Sequence, residues 1–246
     1  MSEFEERHAR LEESISAACH AAGRQREDVE LMAVSKNHPA SAILEAASLG
    51  LYVFGENRVQ EFTSKSVDLS LASIPGAAMP ARQAVRVHLI GHLQSNKATK
   101  AAEVFDAVDS VDSLKLAERL NEAAAKLGKK LPVLIEIKLS TEETKAGLAP
   151  DSPELSELLE KLPDLANLET EGLMTIAPLD VREDETRACF RHLRQLCDRL
   201  AATYPRLNFP VLSMGMSGDY ALAIAEGATR IRVGTALFGT RPGYQK

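Results

Sequence analysis

Short apolar runs alternate with amphipathic stretches along the whole chain, and this rhythm restricts the fold more than any other feature. The runs are Val29–Ser35, Leu51–Gly55, Val85–Gly91, Ala107–Val111, Leu131–Leu139, Leu168–Ile176, Pro210–Met214 and Arg230–Phe238. Each has the length of a strand. Several lack in-and-out alternation, as strands covered on both faces do. Between them, Pro39 opens a helix through Ile43, Leu44 and Ala47 that Gly50 ends. Ser152-Pro153-Glu154 starts another, ahead of Leu155, Leu158, Leu159 and Leu162. Leu116, Leu120, Ala124 and Leu127 form a stripe closed by Gly128, and Phe190, Leu193, Cys197 and Leu200 form the next. Such stripes are core-facing sides of helices.

With a further helix over Phe4–Ala22, about eight βα units in 246 residues predict a single α/β domain, a (β/α)8 TIM barrel over residues 1–246. A doubly wound open sheet is the alternative, but no G-x-G-x-x-G follows an early run. Little chain follows the eighth run, so the N-terminal helix is expected to cover that face. The stretch Ser66–Ala84, with Ser70, Ser73, Pro75, Gly76 and Pro80, predicts a long mobile loop.

Composition narrows the function classes. Twenty-nine basic against thirty-five acidic residues, a net charge of -6, argue against nucleic acid as a partner but leave room for a local basic pocket. The three cysteines, Cys19, Cys189 and Cys197, form no C-x-x-C pair and are expected to be buried thiols. The acidic start, Met1-Ser2-Glu3-Phe4-Glu5-Glu6, is unlike a secretory leader, and no apolar run approaches the length of a membrane span. A cytoplasmic protein with no membrane partner is expected.

In a TIM barrel the chemistry sits at the carboxyl ends of the strands, with phosphate held after strands seven and eight. The first run ends in Lys36, which shares a strand face with Met32 and Val34. A lysine at a barrel mouth can serve as a Schiff-base amine, although a strand-end lysine is also an ordinary solvated charge. At the other end of the chain, Ser217 and Gly218 offer a hydroxyl and backbone N–H groups to phosphate oxygens. Gly234 admits a ligand close to the backbone, Thr235 adds a hydroxyl, and Arg232 points to the same face as Gly234. Taken singly, Gly215, Gly218 and Gly234 read as turn or packing glycines; the shared rim favours a site. The six histidines show no H-E-x-x-H, and no metal site is expected, though His88 could line the mouth. Neither a G-x-S-x-G elbow nor a P-loop is present. Gln94-Ser95-Asn96-Lys97 with Lys100 reads as a solvated helix cap or a weak anion site.

Beyond these readings, the motifs resemble a known family. Ala33-Val34-Ser35-Lys36, Phe54-Gly55-Glu56-Asn57 with Val59-Gln60-Glu61, and His88-Leu89-Ile90-Gly91-His92-Leu93-Gln94-Ser95-Asn96-Lys97 are similar to the YggS/PROSC family of pyridoxal phosphate homeostasis proteins. So are Gly172-Leu173-Met174, Leu212-Ser213-Met214-Gly215-Met216-Ser217 and Val233-Gly234-Thr235-Ala236-Leu237-Phe238-Gly239. The resemblance implies an alanine-racemase-like barrel that binds pyridoxal 5′-phosphate (PLP). Lys36 would carry it as a Schiff base, Asn57 would lie beside the ring, and Arg232 would face the pyridine nitrogen. Ser217, Gly218, Gly234 and Thr235 would hold the phosphate. Lys65 and Lys145 match family positions tied to cofactor handling. The implied role is vitamin B6 homeostasis in a monomer without robust turnover and with no catalytic residues, PLP-dependent apoenzymes being the partners. The alternatives are an amino-acid racemase or decarboxylase, and a Schiff-base aldolase using Lys36 on a sugar phosphate.

Overall fold

The computed structural model describes residues 2–73, 81–140, 146–178 and 180–239. The strands are β1 (Glu30–Val34), β2 (Val53–Glu56), β3 (Arg86–Leu89), β4 (Ala107–Val111), β5 (Leu131–Glu136), β6 (Leu168–Met174), β7 (Val211–Ser213) and β8 (Arg230–Val233). They pair in parallel in chain order, and β8 returns to β1 to close the barrel. The TIM-barrel expectation therefore holds, against the open sheet.

The helices are α1 (Glu3–Ala21), α2 (Ala40–Ser48), α3 (Val59–Leu71), α4 (Ala81–Ala84), α5 (Ala98–Val104), α6 (Leu114–Lys126), α7 (Pro153–Lys161), α8 (Glu183–Thr203), α9 (Tyr220–Ala225) and α10 (Thr235–Phe238). Their starts follow local chemistry. The Ser2 hydroxyl accepts from the Glu5 N–H while the Glu5 carboxylate accepts from the Ser2 N–H, a capping box. The Ser113 and Ser152 hydroxyls cap α6 and α7 by accepting from the Leu116 and Leu155 N–H groups. Pro39 is the residue before α2 rather than its first.

As the sequence suggested, α1 covers the closing face. It buries Phe4, Leu11, Ile15 and Cys19, and packs on α9 and α10. The Arg7 Nε–H donates to the Leu237 carbonyl at 2.9 Å, and the Tyr220 hydroxyl donates to Ser14 at 2.8 Å. The main apolar core, with Phe54, Phe62, Phe105 and Phe190 fully enclosed, lies between strands and helices. The three cysteines are buried thiols with no disulfide. No helix among the described residues is long and apolar enough to cross a membrane.

Two expectations need correction. The run Arg230–Phe238 is not one strand: β8 ends at Val233, and the Gly234 carbonyl accepts from the Leu237 and Phe238 N–H groups, turning the chain into α10. Nor is Ser66–Ala84 a loop at its ends. There α3 continues to Leu71, with the Ser66 and Ser70 hydroxyls folded back onto the Thr63 and Ser66 carbonyls, and α4 precedes β3. Residues 74–80 of that stretch lie outside the described residues.

The barrel interior is polar in its middle. His88 Nδ1 lies 2.9 Å from Asp109 Oδ1, and Arg230 reaches across from the opposite strand to Asp109 at 3.3 Å while donating to Glu30 at 2.6 Å. Above this chain, Met32, Val34, Val53 and Ile90 form a small apolar layer. Gly55 makes room for it, since a Cβ there would meet Met32 Sδ and Ile90 Cδ1 at 2.9 Å.

Candidate functional site

The carboxyl ends of the strands surround a pocket of about 490 Å³. β1 delivers Lys36, half-buried, just past its last residue, and β2 delivers Asn57. Beside β1, Arg232, Gly234 and Thr235 come from β8 and its turn, and Ser217 and Gly218 follow β7, the next strand round. The seven residues expected to bind the cofactor thus all border this one pocket.

The chain around Lys36 is tightly held. The Ser35 hydroxyl donates to Glu56 Oε1 at 2.7 Å. The buried Lys65 ammonium donates to the Ser35 carbonyl at 3.0 Å and to Glu56 and Glu61 at 2.7 Å each. Asn37, next after Lys36, takes a left-handed conformation at φ 62°, and its N–H donates to Glu61 at 2.5 Å. Asparagine accepts that conformation more readily than most residues. Lys65 therefore lies beneath the pocket, not in its lining. Lys145 falls outside the described residues.

Arg232 is buried and fixed by its own partners: one Nη donates to the Ser213 hydroxyl at 2.7 Å and the other to the Thr175 carbonyl at 2.8 Å. Burial draws its pKa down, against the carboxylates of Asp109 and Glu136. In the turn after the neighbouring β7, the Ser217 hydroxyl accepts from the Ala236 N–H at 3.4 Å. Among the described residues, no group accepts from the N–H of Gly218 or Thr235. Both remain available to an anion.

His88 does not line the mouth: it is buried one layer down against Asp109, and the pocket histidine is His92, paired with Asp112 at 3.0 Å. Lys100 pairs with Glu103 away from the pocket, in keeping with a solvated cap. Sequence reasoning missed Glu136, which ends β5 inside the rim. The signal was there, a charged residue closing an apolar strand, the same that singled out Lys36. It also missed Gly91, where a Cβ would come within 2.3 Å of the Asn57 carbonyl oxygen.

The model for the alanine racemase N-terminal domain matches residues 9–242. A pyridoxal phosphate homeostasis protein of Pseudomonas aeruginosa is 42% identical over 98% of this chain and 97% of its own length. The chain belongs to the pyridoxal phosphate homeostasis proteins of the alanine racemase N-terminal domain family. The Escherichia coli K12 member is 40% identical over 95% of this chain and 94% of its own. Within this family, PipY of Synechococcus elongatus, solved with PLP bound, is 46% identical, covering 86% of this chain and 93% of that one at a TM-score of 0.77. An alanine racemase of Clostridium difficile, 17% identical over 88% of this chain and 53% of its own, shares the barrel fold at a TM-score of 0.67.

Proposed function

We propose that this pocket binds pyridoxal 5′-phosphate through a Schiff base with Lys36, and that the protein serves intracellular vitamin B6 homeostasis without robust turnover. The observation that carries this is the joining, in one pocket, of a lysine amine, a buried arginine and hydroxyl and backbone N–H groups from two adjacent turns. The fit is supported by Gly218, around which an added Cβ would meet nothing within 4 Å, so that the backbone there is open to a ligand. Ser217, Gly218 and Thr235 would hold the phosphate, Asn57 would lie beside the ring, and Arg232 would face the ring nitrogen.

When bound, PLP supplies an aldehyde for amine exchange and a ring that can act as an electron sink. Arg232 bears on the second property. A guanidinium only donates hydrogen bonds and keeps its charge, so the nitrogen it faces stays unprotonated and the sink stays weak. Ser213 and Thr175 lock it in that orientation. Such a site suits carrying PLP, with PLP-dependent apoenzymes in the cytoplasm as recipients and the protein a monomer. Glu136 and His92, which line the pocket, keep an amino-acid racemase or decarboxylase as the second reading, because those reactions need further acid–base groups.

The test is a PLP titration followed by absorbance, with borohydride reduction and mapping of the modified lysine. Wild type should give a Schiff-base band and a reduced adduct on Lys36, and Lys36→Ala should lose both. An adduct retained in the pocket of that variant defeats the assignment. Incubation with single amino acids and chiral analysis separates the second reading.

A further inference from the structure

Glu136 ends β5 with its side chain inside the rim, and it is only 6% exposed. Its Oε2 is shielded from solvent and has no hydrogen-bond partner, although the residue lines the same pocket as Lys36 and Arg232. Leaving a buried polar atom unmatched is costly, and a bound ligand is the natural partner for it. Charged groups bear on Glu136 from three directions: Asp112 beyond β4, His92 beyond β3, and Arg232 on β8. The neighbouring strand β6 places Met174 opposite it in register. His92 and Asp112 already satisfy each other at 3.0 Å.

We propose that Glu136 is a further ligand-contacting residue of this pocket, presenting a carboxyl proton to bound PLP from the end of β5 and loosening the hold on that anion when it ionises. This rests on the pocket being a PLP site. Burial first, then the Asp112 charge, push the Glu136 carboxyl up to about 7, against the pull of Arg232 and His92. Below neutrality the group is an uncharged donor and leaves the positive field of Arg232 intact. Above neutrality it is a carboxylate that cancels part of that field and repels a phosphate-bearing ligand.

The experiment compares PLP affinity, by absorbance titration, in wild type and Glu136→Gln between about pH 6 and about pH 8.5. The amide keeps the shape and a donor but carries no charge. Titration of the ligand and of Lys36 affects both proteins alike, so the ratio of the two Kd values isolates Glu136. The ratio should stay within about twofold at the acid end. At the alkaline end wild type should bind at least about tenfold more weakly, the effect expected of one unit charge within about 12 Å at an effective dielectric near 20. Equal Kd values at every pH would overturn this role of Glu136 and leave the pocket's ligand standing. No saturable signal from wild type at any pH would overturn both.

Infrared difference spectra of wild type with carbon-13-labelled glutamate need no variant. A protonated carboxyl stretch should shift when PLP is added at the acid end and disappear at the alkaline end. A band that PLP leaves unmoved would overturn the contact.

Discussion

The ammonium of Lys65 donates to the carbonyl of Ser35 at 3.0 Å, anchoring the chain one residue before Lys36 from below. The same ammonium neutralises Glu56, whose side chain is fully buried and whose second carboxylate oxygen has no partner. Burial pushes the Glu56 carboxyl up in spite of Lys65. The clamp that sets the backbone beside Lys36 is therefore itself a buried ion pair.

Removing one member of such a pair leaves an uncompensated charge, at a cost of about 3–5 kcal/mol. Lys65→Met should lower stability to urea by that order. Its deficit should grow as pH rises above the ordinary carboxylate value of 4.5, because without Lys65 the folded Glu56 holds its proton to still higher pH. A carboxylate raised in the folded state loses its stabilising proton as pH rises. Adding Glu56→Gln should recover more than half of the loss and flatten the pH dependence. A single variant as stable as wild type would show that the clamp carries no weight.

Ser217 offers the next test. If its hydroxyl meets the phosphate, Ser217→Ala loses a hydrogen bond to a charged acceptor, about 1.5–3 kcal/mol, or roughly ten- to a hundredfold in PLP affinity. Pyridoxal, which lacks the phosphate, should lose little. Parallel titrations with the two ligands decide it: equal losses would place Ser217 away from the phosphate.

Acid should act through Asp109. Burial alone would raise its carboxyl, but His88, then Arg230 and Arg232, hold it below its ordinary value of 3.8. Because the folded value is the lower one, the stabilisation is present above about pH 4 and is lost as pH falls through the folded value. Asp109→Asn should be less stable than wild type at neutral pH, by about 3–5 kcal/mol, since Arg230 loses a buried partner. Its melting temperature should then fall less steeply than that of wild type below pH 4. Parallel acid limbs for the two proteins would exclude Asp109 as the responsible group.

The positions that were legible along the chain share a local cause. Lys36 stands out because a charge closes an apolar run, and Arg232 and Gly234 because they fall at the end of the eighth run, although the strand itself stops at Val233. The loop expected over 66–84 failed at Ser66–Leu71 for the opposite reason. Serines that suit a turn are kept helical there by α3, which buries Phe62, Lys65 and Leu69, and tertiary packing overrides propensity of that size.

Strand order, the single rim and the pairing of Lys36 with the turns after β7 and β8 follow from eight local patterns read in sequence, because a parallel βα repeat leaves few ways to close. Closure itself decided the rest. Asp109 on β4 meets Arg230 on β8 only across the completed ring, and Arg232 finds Ser213 and Thr175 only once three strands stand side by side. Glu136 becomes a buried carboxyl with an unmatched oxygen only when the far wall excludes water from it. Burial and cross-barrel distance belong to no segment of the chain, and they set the charge states on which the site depends.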